Sequence, residues 1–172
     1  MVKKRKFWQL FALSAAIIAI VGGGICFIGA VSGWFGGVPE RVVLSDEFVH
    51  DSASETSENT SVMLTINTVE FDQLIAEQKS FIVISHLPTC TAKILTYLKD
   101  YAAEHHFDYL YYPWSQFKDT DFHAEIRFAP TVFIVSNGKL AAFLDADTDA
   151  DTAKYNDYAT FSAWLDSYLV LN

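Results

Sequence analysis

The sequence predicts an α/β domain, a central mixed sheet flanked by helices, carried behind one N-terminal transmembrane helix. Three observations lead there. The 172-residue chain has no charged residue from Phe7 to Pro39. Beyond residue 61, short apolar runs of strand length alternate with stretches of helical spacing. Phe81-Ile-Val-Ile84 is a continuous apolar run of the kind found in a strand covered on both faces of a sheet. A chain of this length has room for one ordinary domain and an anchor, not for two packed domains.

The anchor is placed at residues 7–35. Leu10 to Ser32 is almost wholly apolar, long enough at about 1.5 Å per residue to cross a hydrocarbon core of about 30 Å. Lys3, Lys4, Arg5 and Lys6 form a basic tail over residues 1–6, and the first acidic residue is Glu40. The positive-inside rule therefore puts the N-terminus in the cytoplasm and the C-terminal domain outside, as a single-pass protein of the cell membrane. Trp8 and Trp34 stand where an aromatic belt would lie. A cleaved signal peptide, with Ala30 and Ser32 as the small residues before the cut, is the competing reading. A lipidated Cys26 is disfavoured, because Ile25 stands where a small residue is needed. Gly29 and Gly33 form a Gly-x-x-x-Gly pair, and Gly22, Cys26 and Ala30 share a spacing of four, which would let two such helices pack as a dimer.

Residues 36–61 are rich in Gly, Pro, Ser, Thr, Asp and Glu, and Asp51 to Thr60 contains no large apolar side chain, so the sequence predicts a flexible acidic stalk. The folded domain is then 62–172. Val62 to Ile66 reads as a strand. Asn67 with Glu70 offers a helix start, with Val69, Leu74 and Ile75 as the apolar face. Phe81 to Ile84 is the central strand, and Ile94, Leu95, Leu98 and Ala102 mark the helix after it. Tyr109 to Tyr112 is a third strand, Asp119 to Arg127 a third helix, and Thr131 to Val135 a fourth strand. Asn137-Gly138 signals a tight hairpin into the strand Lys139 to Leu144. A final amphipathic helix is placed at Phe161 to Leu169.

Charge and cysteine count narrow the function. Past the anchor, 8 Lys and Arg face 21 Asp and Glu, a net charge of −13. Such a surface argues against nucleic acid and anionic headgroups as partners, both of which need basic patches. There are two cysteines, Cys26 in the apolar run and Cys90 in the domain. That count leaves no disulfide framework, no Cys-x-x-Cys pair and no zinc ribbon. Asp145, Asp147, Asp149 and Asp151 alternate, but Ala150 and Asn156 stand where a calcium loop needs glycine and glutamate, so they read as an acidic solvated loop. No metal and no cofactor is expected. His105 and His106 read as surface residues at a helix end. Trp114, past the third strand, reads as part of an exposed contact surface.

The order of elements, with a cysteine between the central strand and its helix and Ile126-Arg-Phe-Ala-Pro130-Thr131 ahead of the fourth strand, resembles thioredoxin from Met63 to Val170. Within that superfamily, Leu87-Pro-Thr-Cys90 behind an anchor is most similar to the membrane-anchored bacteriocin-transport accessory proteins of Gram-positive lactic acid bacteria, which carry Pro-Thr-Cys-x-x-Cys there. The resemblance implies a cis bond before Pro130. It also implies that Cys90 caps the next helix, where the helix dipole favours thiolate, and that Ala129, Pro130 and Thr131 face it and bind an extended peptide by strand addition. His86, Pro88 and Thr89 complete the implied substrate loop, His86 as a base or as a solvated loop residue.

This sequence departs from the pattern at one place. The resolving cysteine should stand three residues after Cys90, and Lys93 is there instead. A lone thiol can form a mixed disulfide but cannot release it intramolecularly. The expected partners are exported cysteine-containing peptides or proteins. Two functions stay open: monothiol disulfide exchange through Cys90, with Lys93 at a degenerate resolving position, and a binding module that has lost its chemistry.

Overall fold

The computed structural model describes residues 40–50 and 61–171. The anchor 7–35 with Trp8, Trp34, Cys26 and the Gly29/Gly33 pair, the basic tail, and residues 51–60 of the stalk lie outside the described residues. Among the described residues no helix is long and apolar enough to cross a membrane.

The described residues run β1 (Val42–Val43), β2 (Met63–Thr65), α1 (Thr68–Ala76), β3 (Phe81–Ser85), α2 (Lys93–Glu104), β4 (Tyr109–Tyr111), α3 (Trp114–Phe117), β5 (Thr131–Ser136), β6 (Lys139–Phe143), α4 (Asp149–Asn156), α5 (Tyr158–Tyr168) and β7 (Leu169–Val170). Five strands form one mixed sheet in the order β2-β4-β3-β5-β6. β2 and β3 run parallel to β4, whereas β5 is antiparallel to β3 and β6 to β5. Side chains alternate across β3. Ile82 and Ile84 enter a core with Ile94, Leu98, Phe161 and Leu165 of α2 and α5, and Phe81 and Val83 enter a second core with Phe71 and Phe117 of α1 and α3. Two buried faces are why this strand reads as an unbroken apolar run.

Several elements form for legible local reasons. Asn67 caps α1 by accepting from the backbone N–H of Val69 and Glu70, and Glu70 returns a bond to the Asn67 N–H, so both halves of the capping box are made. At the β5–β6 turn, Asn137 and Gly138 take φ of 49° and 72°, the left-handed pair that a tight hairpin needs.

Four expectations are corrected. Val69 is 75% exposed, and Phe71 is the residue buried on α1. Phe71, Leu74 and Ile75 are in helical phase with one another, and Val69 is not. The helix expected over Asp119 to Arg127 is replaced by α3 and a 3-10 turn, Asp121–Ala124. Thr120 closes its own turn, with backbone N–H and hydroxyl both donating to the Phe117 carbonyl at 3.0 and 2.8 Å, and this local bond competes with helix continuation. The acidic loop read at Asp145 to Asp151 turns helical at Asp149, where α4 begins. Trp114 is buried and stacked on Phe117, not part of an exposed surface.

The stalk reading is also corrected for residues 40–50, which pack onto the domain as a strap. Val42, Leu44 and Phe48 are buried, and β1 pairs in parallel with β7. The Arg41 guanidinium donates to the carbonyls of Asp166 and Leu169, at the end of α5. Asp108, itself buried, accepts from the backbone N–H of Val62 at 2.7 Å and contacts His50 Nε2 at 2.8 Å. That carboxylate thus ties both flanks of residues 51–60 to the sheet.

Candidate functional site

The site grows from the end of β3. Ser85 pairs with Thr131 in the β3–β5 ladder, so the loop that leaves β3 and the loop that enters β5 share one end of the sheet. The first carries His86, Pro88, Thr89 and Cys90, and the second carries Ala129 and Pro130. The Ala129-Pro130 peptide bond is cis, as expected.

In the first loop, the Cys90 N–H donates to the Leu87 carbonyl at 2.9 Å, closing a turn with Pro88 and Thr89 at its centre. Proline's fixed φ suits the second position of such a turn. Thr91 follows and Ala92 is extended, with φ −63° and ψ 142°, so α2 begins at Lys93 with Ala92 as its N-cap. The expectation that Cys90 caps the helix is therefore corrected. It stands two residues ahead of the cap, because the proline turn uses its N–H and the helix begins only after the extended Ala92. Cys90 is free and half-buried, Pro88 and Thr89 are exposed, and Lys93 is exposed as the first helical residue. His86 is held in place at the start of the loop. Its Nδ1 lies 2.7 Å from the Leu87 carbonyl and its ring lies against Tyr111, centroids 4.5 Å apart.

In the second loop, Ala129 and Pro130 are half-buried. Ala129 makes no backbone hydrogen bond among the described residues. Thr131 does not contribute its side chain to this surface. It is fully buried, and its hydroxyl donates to the Leu144 carbonyl at 2.8 Å. Beneath the loop, the Tyr155 hydroxyl of α4 lies 2.8 Å from the Pro130 carbonyl and 3.1 Å from that of Leu144. Burial raises the Tyr155 hydroxyl well above its ordinary value, and the Asp151 and Asp145 charges add to the effect, so it remains a proton donor.

Sequence reasoning missed three residues here. Leu87 and Phe128 are large apolar side chains left 50% and 44% exposed, one on each loop. Tyr155 lies four residues past the aspartates read as an acidic loop, and a single aromatic among Asp, Thr and Lys was the available signal.

The alternating aspartates are used locally. Asp145 accepts from the Asp147 N–H, and Asp151 accepts from the Asp145 N–H and pairs with Lys154. Among the described residues no group of three or more His, Cys, Asp or Glu converges as a metal would require. His105 and His106 line a cleft of about 280 Å³ with His50, Leu44, Phe107 and Val170. That cleft lies between the strap and the end of α2, and its lining includes neither Cys90 nor Pro130.

The central mixed sheet flanked by helices agrees with the architecture expected from the sequence. No protein-family model and no curated relative matches the chain. Among solved structures, one described as having a thioredoxin fold is 22% identical over 56% of this chain and 95% of its own, with a TM-score of 0.42. Thioredoxin O2 from Arabidopsis thaliana, in its oxidized state, is 10% identical over 62% of this chain and 93% of its own, with a TM-score of 0.44.

Proposed function

We propose that this chain is a membrane-anchored, thioredoxin-like accessory protein of the cell surface. It binds extended segments of exported polypeptides against the Ala129-Pro130 loop and exchanges disulfides through Cys90 as a single thiol. The narrower reading, taken from the Leu87-Pro-Thr-Cys90 resemblance, is service to bacteriocin or protein export. The observation that supports the reading most is the Ser85–Thr131 register, which brings the loops of a half-buried thiol and of an unpaired backbone segment to one sheet end.

The chemistry follows from one thiol. The Cys90 thiolate attacks a sulfur of a client disulfide, the client S–S bond breaks, and the second client sulfur leaves as thiolate. An external low-molecular-weight thiol then attacks the client sulfur of the adduct and frees Cys90. A second external thiol releases the client as a dithiol and leaves as the external disulfide. Lys93, exposed at the head of α2, supplies no sulfur to any of these steps. That same residue favours the second reading, a peptide-binding module without exchange.

The test is a trap in intact cells. A membrane-impermeant thiol reagent should label Cys90 from outside, and rapid acid quenching should preserve adducts that join Cys90 to cysteine-containing exported proteins. Labelling only after lysis would refute the orientation. Labelling without adducts would refute exchange and leave the binding module.

A further inference from the structure

We infer that Tyr155 is a positioning residue for the peptide-binding loop, holding the Pro130 carbonyl so that the backbone of Ala129 is presented to the polypeptide that meets Cys90. The inference rests on the reading of Cys90 and the Ala129-Pro130 loop given above, and adds to it a residue from a part of the chain remote in sequence.

Four groups meet at this point. The Tyr155 hydroxyl reaches both the Pro130 and the Leu144 carbonyls, and the Thr131 hydroxyl donates to the same Leu144 carbonyl. Leu144 also donates its N–H to the Val132 carbonyl at 2.9 Å. The entry to β5, the chain leaving β6 and helix α4 are thereby joined through two hydroxyls. Neither strand supplies the bond that orients the Pro130 carbonyl, since the β3–β5 ladder begins one residue later, at Thr131. With Ala129 unpaired among the described residues, the bond to the Pro130 carbonyl comes from the α4 side, while Thr131 beyond it is held by the ladder and by Leu144. The part-buried Tyr155 hydroxyl is a local restraint on the Pro130 carbonyl, because its loss removes the donor that this carbonyl has among the described residues, while the Leu144 carbonyl keeps the Thr131 hydroxyl.

A merely structural role for Tyr155 makes a different prediction from a positioning role. Losing the hydroxyl should leave the reactivity of the Cys90 sulfur untouched and should weaken only reactions that use the Ala129 backbone. Two probes separate these. 5,5′-Dithiobis(2-nitrobenzoate) is a disulfide without a peptide backbone, and a cystine-bridged peptide presents one. With pre-reduced full-length protein, Tyr155→Phe should slow adduct formation at Cys90 with the peptide by about five- to tenfold, the range expected for one net hydrogen bond. The rate with the aromatic disulfide should stay within about twofold of the unmodified protein.

Tyr97→Phe is the control, because the Tyr97 hydroxyl donates to the Asn156 carbonyl at the end of the same helix without touching Pro130. It should leave the ratio of the two rates unchanged. Equal slowing of both probes by Tyr155→Phe, or the same ratio change in Tyr97→Phe, would show a general effect of α4 and overturn the inference. Unchanged rates for Tyr155→Phe would overturn it too. An unmodified protein that reacts with neither disulfide would refute the reading of Cys90, and with it this inference.

Discussion

Replacing Phe48 by Ala tests whether residues 40–50 belong to the domain. Phe48 is 5% exposed, its ring lies 5.9 Å from that of Phe81, and its carbonyl accepts from the Asp108 N–H at 2.7 Å. Truncating a buried phenylalanine to alanine costs about 3–5 kcal/mol. Phe48 lies at the rim of its core, where neighbours and water can partly fill the space, so the lower end, about 3 kcal/mol, is expected. For a domain of this size 1 kcal/mol corresponds to about 4 °C in Tm, which makes the expected fall about 12 °C. The assay is thermal unfolding of the full-length protein, with Val49→Ala as an exposed control on the same segment. A fall of less than about 3 °C for Phe48→Ala would mean that the strap is dispensable and that the folded domain begins at β2.

Two other perturbations probe the frame around the site. Gly138→Ala places a Cβ about 2.5 Å from the Ile75 carbonyl oxygen on a residue with φ of 72°. It should cost about 2–4 kcal/mol, and a Tm within about 2 °C of the unmodified protein would refute the tight seating of the hairpin on the end of α1. Asp157 caps α5 through the N–H and hydroxyl of Thr160 at 2.8 and 2.6 Å, and the hydroxyl foremost, then the N–H, hold its carboxyl below the ordinary aspartate value. A depressed folded value means that the cap's contribution is complete above the ordinary range and is lost as pH falls through the lower folded one. Amide protection at Thr160 should therefore drop on acidification, and Asp157→Asn, which caps without titrating, should remove that dependence. Protection that stays level in the unmodified protein through the acid range would contradict the cap.

What the sequence disclosed, and what it hid, follows from how far each signal reaches. Phe81 to Ile84 and the Asn67/Glu70 capping box are local patterns, and both appear where local rules put them. The Asn137-Gly138 turn is equally local. The strap was hidden because Val42, Leu44 and Phe48 sit in a stretch whose average composition is polar, and their burial depends on distant partners, Leu169 in the core of Val42 and Leu44, and Phe81 for Phe48. Helix α4 was hidden for the same reason. Its aspartates dominate the composition, and its one informative side chain, Tyr155, is explained only by the Pro130 and Leu144 carbonyls that it meets in the fold. At the site itself, Pro130 with its cis bond was legible through the resemblance. The position of Cys90 ahead of the α2 cap was not, because the Pro88 turn and the extended Ala92 set it, and neither carries a periodic pattern.

The central claim is that Cys90 acts as a single thiol, and one turnover of a disulfide-bridged peptide tests it most directly. Pre-reduced full-length protein is mixed with the peptide without any other thiol, then quenched with acid and resolved by mass. The account predicts that the unmodified protein accumulates an adduct between Cys90 and the peptide and releases no dithiol peptide, because Lys93 offers no second sulfur. Lys93→Cys should instead release one equivalent of dithiol peptide and end with a disulfide between Cys90 and the introduced thiol. Release of dithiol peptide by the unmodified protein would contradict the account, as would a folded Lys93→Cys variant that forms neither adduct nor disulfide.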